Sequence, residues 1–393
     1  MLRLGLLCDF PEEGWPSMDL VGDMLRDRLQ RDHSGLFRTE QLRPVFRRRA
    51  TALGGLRSLR VAWNADRLWN RAVEYPLWLR KHVRDYDLFH IVDHSYAHLA
   101  LSLPAERTVV TCHDLDAFRS LTHPEVEPRP FWYKAMAKRI LRGLRSAQRV
   151  VFVSEAIRQE ADRLGLIAAS RSTVVHNGVF AAEPDADADR EADQLLGAGA
   201  AGPLILSVGS TIQRKRIDVL LRVFAGIVKE NSGARLIRVG GPMTAAQMGL
   251  ARELGVVASI VDLPFVSRAV LGAVYRRATL LLQPSDAEGF GLPVAEALLA
   301  GCRIVCSDIG AFREFEGKSC HYVPLSANAE EEFAETVRTV LAEPRSKPAQ
   351  LPQLSVPVIA EHYVQLYRRL VRLRSPDSSR AHAKEPPRQQ ASG

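Results

Sequence analysis

Two doubly wound α/β domains are the fold class that this sequence predicts, on three observations. Short, wholly apolar runs rich in Val, Ile and Leu alternate with longer amphipathic stretches along most of the chain. That is the pattern of parallel sheets covered by helices on both faces. The alternation occurs twice, interrupted by an acidic and then Ala/Gly-rich stretch at 181–203. A length of 393 residues exceeds one ordinary domain and suffices for two.

In chain order, the opening MLRLGLLCDF is an apolar run cut short by Asp9. It is too short for a signal-peptide core and reads as a first strand. Further strands begin near Asp87 (DLFHIV), Thr108 (TVVTC), Arg149 (RVVFV) and Thr173 (TVVH). The stretch 181–203 has no strand pattern and is read as a connector. Strands resume near Leu204 (LILSV), Leu236 (LIRV), Ser259 (SIVD), Thr279 (TLLLQ), Arg303 (RIVC) and His321 (HYV). Helical periodicity is clearest over Ile217–Lys229 and Val358–Leu373. The domains expected are 1–180 and 204–355, facing each other across a cleft, with a helix over 356–373. The polar, Pro-containing tail at 374–393 is expected to be disordered.

Composition narrows the function classes. No apolar run approaches the roughly 20 residues of a membrane helix, so a cytoplasmic protein is expected. Five cysteines, at 8, 112, 302, 306 and 320, are odd in number and lack CxxC spacing. They read as small buried hydrophobes rather than metal or redox groups. Lys and Arg outnumber Asp and Glu 28 to 21 over 1–180, but only 25 to 24 over 181–393. The excess marks the first half for an anionic partner or for a solvated Arg-rich surface.

Ligands of parallel sheets bind in the loops beyond the carboxyl ends of the strands. The richest such loop follows TLLLQ and reads PSDAEGFGLPVAEALLAG. Glu288 is followed by Gly289, Phe290, Gly291 and Leu292. Pro293 suits the first helical position, and Glu296 falls in the first turn, with seven residues between the two glutamates. A Gly-flanked loop opening a helix offers unpaired N–H groups and the positive end of a dipole. Two carboxylates beside it accept hydrogen bonds from hydroxyls. The combination suits a ligand with anionic and polyol parts, such as a nucleotide sugar. A second loop, LSVGSTIQRKRID, leaves another strand and places Lys215 to face a phosphate. Arg214 and Arg216 read most simply as solvated arginines, with Arg214 kept as a donor-side candidate. A third, VVTCHDL, puts His113 at a strand's carboxyl end and Asp114 in a capping position. His94 and His98, in DHSYAH, also follow a strand, and Gly14 lies in the first loop, DFPEEGWPSMDL.

The segment EGFGLPVAEALLAG resembles the signature of the family-four retaining glycosyltransferases (glycosyl transferases group 1), and the resemblance extends over about residues 1–373. It implies the GT-B fold, with two Rossmann-like domains and a last helix crossing back to the first. It further implies transfer of a hexosyl unit, mannosyl- or glucosyl-like, from a nucleotide-diphosphate sugar to a glycan or lipid-linked hydroxyl. By resemblance Glu288 contacts the donor sugar, Glu296 the ribose, and the N–H groups of Phe290, Gly291 and Leu292 the sugar or phosphate. Lys215 matches the second member of the family's basic pair, whose first position is Ser210 here. His113 matches the family's HD segment. Glu288, Lys215 and His113 form the expected catalytic set. Ser210, Arg214, Gly289 to Leu292 and Glu296 form the donor set. Gly14, His94 and His98 are the acceptor-side candidates. No metal or other cofactor is expected; a UDP- or GDP-sugar serves as co-substrate. The expected setting is polysaccharide biosynthesis, with peripheral contact at an anionic membrane and no nucleic acid. Two alternatives stand beside this: a catalytically degenerate binding relative and a sugar-nucleotide epimerase of the same fold.

Overall fold

A computed structural model describes residues 1–14, 16–53, 59–181, 183–197 and 202–372. The chain divides into two units. The first holds Met1–Val153, Arg158–Val175 and the segment from Pro357 on, and the second holds Ser154–Ile157 and His176–Val356. The tail expected to be disordered lies outside the described residues.

The first unit is built on a six-stranded parallel sheet: β1 (Leu2–Leu7), β2 (Phe37–Leu42), β3 (Leu88–Ile91), β4 (Thr108–Cys112), β5 (Arg149–Phe152) and β6 (Ser172–Val174), in the order β2-β1-β3-β4-β5-β6. Leu4, Leu6, Val109, Val110, Val150 and Val151 are wholly buried, which is why these runs carry no polar alternation. The sequence shows no apolar run for β2. It is an edge strand, FRTEQL, with alternating exposure, and half-polar strands of that kind carry a weak signal. The helix Val356–Arg372 belongs to this unit from Pro357 on. Tyr367 packs edge-on against Phe37 and shares a 2.7 Å hydrogen bond with His90 on β3, and the Tyr363 hydroxyl lies 3.3 Å from Thr111 on β4. Burial depresses the His90 imidazole to about 3, so it is a neutral core group.

The second unit repeats the architecture. Its strands are β7 (Leu204–Val208), β8 (Arg235–Val239), β9 (Ile260–Leu263), β10 (Leu280–Gln283), β11 (Arg303–Ser307) and β12 (Cys320–Val323), in the order β12-β11-β10-β7-β8-β9, all parallel. The helix Ile217–Glu230 buries Val219, Leu220, Val223, Phe224 and Ile227 against this sheet.

The stretch read as a connector differs from that reading. Ala186–Leu196 is a helix of the second unit, capped by Asp185, which accepts the Asp187 and Ala188 N–H groups. It buries Ala188, Ala192 and Leu196, one stripe at helical spacing, and packs on the helix Arg268–Arg277. Asp189 and Asp193 pair with Arg277 there, and Asp189 also with Arg276. Small alanines make a weak hydrophobic stripe, and the acidic run hides it. Cys8, Cys112, Cys302 and Cys306 are free and buried, and Cys320 is free and half-buried.

Candidate active site

In the second unit the loop after β10 carries the main group. Strand β10 ends at Gln283, and the chain then turns through Ser285 to Glu288. The Glu288 carboxylate is 7% exposed and accepts three hydrogen bonds of ordinary length. Lys215 Nζ donates to its Oε1 at 2.6 Å and its Oε2 at 2.8 Å, and Ser285 Oγ donates to Oε1 at 2.7 Å. Gln283 Nε2 and Arg214 Nη1 lie 3.4 Å from its two oxygens. Burial alone would raise this carboxyl. The Lys215 and Arg214 charges and the Ser285 hydroxyl turn the shift downward, so Glu288 is ionised.

Lys215 arrives from the turn Gln213–Lys215 after β7, and the two loops are stitched together. Arg214 Nη1 donates to the Ala287 carbonyl at 2.8 Å, and Asp286 N–H donates to the Arg214 carbonyl at 2.8 Å. Arg214 is thus not the solvated arginine that the sequence implies; the neighbouring carboxylate and carbonyl draw it in. Arg216 likewise pairs with Asp218 and Asp286, and it holds a left-handed φ of 47°, a conformation unfavourable to a side chain with a Cβ. Ser210 is half-buried between Gly209 and this turn.

Gly291 opens the helix Leu292–Leu299 at φ 94°. A side-chain carbon at that glycine would lie 2.8 Å from the Phe312 ring, so the position admits only Gly for both reasons. Phe290 is buried edge-on against Phe315 and beside the His176 ring. The carbonyl of Gly289 accepts the Ser154 hydroxyl at 2.6 Å. The first N–H groups of a helix lack intrahelical partners, and here they follow directly on the Glu288 loop. The helix starts at Leu292, one residue before the expected Pro293, so Glu296 is its fifth residue, just past the first turn, and accepts the buried Tyr275 hydroxyl at 3.0 Å. Burial raises it to about 7.

His113, His94, His98 and Gly14 belong to the first unit, beyond the ends of β1, β3 and β4. His113 Nε2 donates to the Val92 carbonyl at 2.7 Å. A carbonyl only accepts, so this bond fixes the tautomer and leaves Nδ1 as the acceptor nitrogen. Burial lowers the His113 imidazole, keeping it neutral. His94 lies beside it, with Nδ1 3.2 Å from Asp93 Oδ1 and Nε2 3.5 Å from Asp114 Oδ1. Burial works against its charged form, but Cys112, Asp114 and Asp93 raise it well above the usual imidazole range. Asp114 also caps the Asp116 N–H. His98 donates to the Arg71 carbonyl at 2.8 Å, and burial lowers it to about 4. Gly14 has φ 70° and closes the turn Pro11–Glu13. Glu13 turns inward, with a wholly buried side chain paired to Arg67 and Arg71 and bonded by Tyr96. The structure therefore brings Glu288, Lys215 and Arg214 together in one unit, and His113 and His94 in the other.

Sequence reading missed several partners. Ser285 and Gln283 were legible only as loop and strand, although both precede the glutamate closely. Glu314 belongs to no recognisable motif, yet it accepts the N–H groups of Glu155 and Ala156 and the His176 ring at 3.1 Å. Asp93 carries no sequence signal beyond its place beside His94, yet it holds His94 and Ser95.

The family model described as Glycosyl transferases group 1 matches residues 190–353, and that described as Glycosyltransferase Family 4 matches residues 30–182. The D-inositol 3-phosphate glycosyltransferase of Mycolicibacterium smegmatis is 30% identical over 225 residues, covering 56% of this chain and 49% of that protein. The chain spans about half or less of the length of the curated relatives it matches. Among solved structures, the sucrose-phosphate synthase of Thermosynechococcus elongatus superposes with a TM-score of 0.69 at 19% identity, over 95% of this chain and 100% of the other. Anabaena HepE in complex with UDP-glucose gives 0.64 at 14% identity, over 95% and 99%.

Proposed function

From the premise that the chain belongs to the group 1 glycosyltransferases of the GT-B fold, we propose that it is a retaining, metal-independent hexosyltransferase. It takes a mannosyl- or glucosyl-like unit from a UDP- or GDP-sugar to a glycan or lipid-linked hydroxyl. One observation carries the reading. The ionised Glu288 of the EGFG loop is locked to Lys215 at 2.6 Å, so an acceptor for sugar hydroxyls and a cation for phosphate stand side by side.

The chemistry follows from that pair. The bond between the anomeric carbon and the diphosphate oxygen breaks as the acceptor oxygen bonds to the same carbon on the same face. The acceptor's proton passes to an oxygen of the departing diphosphate. Negative charge gathers on the leaving group. Lys215, which has three donors, and the N–H groups opening the helix Leu292–Leu299 stabilise it. Glu288 orients the sugar, and Glu296 takes the ribose. Neutral His113, with its Nδ1 lone pair, accepts from a sugar or acceptor hydroxyl, and His94 and Gly14 belong to the acceptor side. HepE crystallised with UDP-glucose supports a uridine donor by likeness of fold.

Peripheral membrane contact is part of the same proposal. On the helix Arg60–Trp69, Val61 and Leu68 are 79% and 56% exposed, and Trp69 is exposed beside them. The buried Asp66 of this helix accepts the N–H groups of Arg49, Ala50 and Thr51. That holds the basic run at 47–49 against it. Exposed apolar side chains rimmed by arginines suit an anionic lipid surface. No helix among the described residues is long and apolar enough to cross a membrane.

A thermal-shift screen against UDP-, GDP- and ADP-sugars tests the donor assignment. A ligand at about a hundred times its Kd adds about 2.7 kcal/mol of stability. One donor is expected to shift the melting temperature clearly, and no shift with any of them overturns the assignment.

A further inference from the structure

Arg238 is the fourth residue of β8, a strand flanked by β7 and β9. It is 1% exposed and stands first among the largest fully buried side chains of the described residues. Its neighbours along the strand, Leu236, Ile237 and Val239, are buried hydrophobes, and packing alone would favour another. Nη2 donates to the Gly241 carbonyl at 3.1 Å and reaches the Gly209 carbonyl at 3.4 Å. Nε lies 3.5 Å from Asp262 Oδ1. Nε and Nη1 are buried and make no hydrogen bond among the described residues. The other Asp262 oxygen is occupied by the Met243 N–H at 2.9 Å. A buried guanidinium stays charged, and incomplete pairing makes it costly to keep.

What Arg238 touches explains why it is worth keeping. Gly209 N–H donates to the Val239 carbonyl at 2.8 Å, and a side-chain carbon on Gly240 would come within 2.5 Å of the Gly209 oxygen. The loops after β7 and β8 are therefore in backbone contact, and Arg238 binds a carbonyl of each. Gly209 in turn lies on the Lys215 stem; a side-chain carbon there would sit 3.2 Å from Lys215 Cε. The guanidinium thus reaches Gly209, from which the chain runs on through Ser210 to Lys215.

We infer that Arg238 is a positioning residue for the donor diphosphate. It sets the Gly209–Lys215 loop and supplies the positive charge that Ser210 does not provide. This rests on the reading of that loop as the diphosphate site. In a water-poor interior a fixed charge acts over several ångströms with little screening, so contact with the phosphate is not required.

The test measures the affinity of the full chain for UDP against uridine, GDP against guanosine and ADP against adenosine, using the pair that the wild type binds. R238M is expected to weaken the diphosphate tenfold or more while leaving the nucleoside unchanged. R238K should keep most of the diphosphate affinity, and S210R placed on R238M should restore it. D262N removes the counter-charge with Arg238 in place and should tighten the diphosphate several-fold; it decides the matter if R238M does not fold. Parallel loss of nucleoside and diphosphate in R238M would reduce Arg238 to a structural brace and overturn the inference. So would an unchanged diphosphate affinity in both R238M and D262N. Failure of the wild type to bind any of the three diphosphates would instead overturn the proposed function, and the inference with it.

Discussion

Glu288 and Glu296 stand eight positions apart, and their surroundings push them in opposite directions. Glu288 is buried against Lys215 and is held below the usual carboxylate range. Its contribution to stability is present above pH about 4.5 and is lost as pH falls through its lowered value. Glu296 is desolvated, and although the Tyr275 hydroxyl and the Arg268 charge pull it down, it rises to about 7. For it the native state holds the proton longer than the unfolded chain, so stability falls as pH rises from about 4.5 toward 7. Glu288→Gln keeps the shape but not the charge, and transfer should drop about a hundredfold or more in a protein whose circular dichroism is unchanged; an active, folded variant would unseat Glu288. Glu288→Ala is the harsher change, because removing one partner of a buried pair costs about 3–5 kcal/mol by stranding Lys215. If Glu296 must be ionised to take the ribose, donor affinity should be about tenfold weaker at pH 6 than at pH 8, the ratio of ionised fractions for a group titrating near 7. Glu296→Gln should bind weakly at both values, and calorimetric titrations would check this.

At the level of elements, the apolar strands were legible and the polar ones were not. TLLLQ, RIVC, LILSV and TVVTC are β10, β11, β7 and β4, since a strand buried on both faces can carry little else. FRTEQL and the helix Ala186–Leu196 escaped because each shows polar side chains outward and small or alternating ones inward. The helix Arg60–Trp69 has the reverse character, with Val61, Leu68 and Trp69 facing outward. If it lies on lipid, the wild type should co-sediment with phosphatidylglycerol vesicles, less so at high salt. V61S/L68S/W69S should stay in the supernatant while keeping its melting temperature. Equal sedimentation of the two proteins would remove this helix from the membrane reading.

Across the whole molecule, the sequence by itself determined two parallel α/β units, their apolar strands, and the loop from Glu288 to Glu296. These features depend on neighbours in the chain: apolar runs, helix-opening Pro and Gly, and the spacing of two carboxylates. Only the tertiary structure decided which groups meet. Lys215 and Glu288 are 73 positions apart, and Glu314 reaches Glu155 across 159. The last helix returns to the first unit through Tyr367 and His90, 277 positions apart. A sequence pattern reports local propensity, whereas a hydrogen bond requires proximity in space. Parallel sheets create that proximity by bringing the carboxyl ends of distant strands side by side. Burial then sets what each group becomes there: Glu288 ionised, Glu296 poised near neutrality, and Arg238 charged against Gly209, next to the half-buried Ser210.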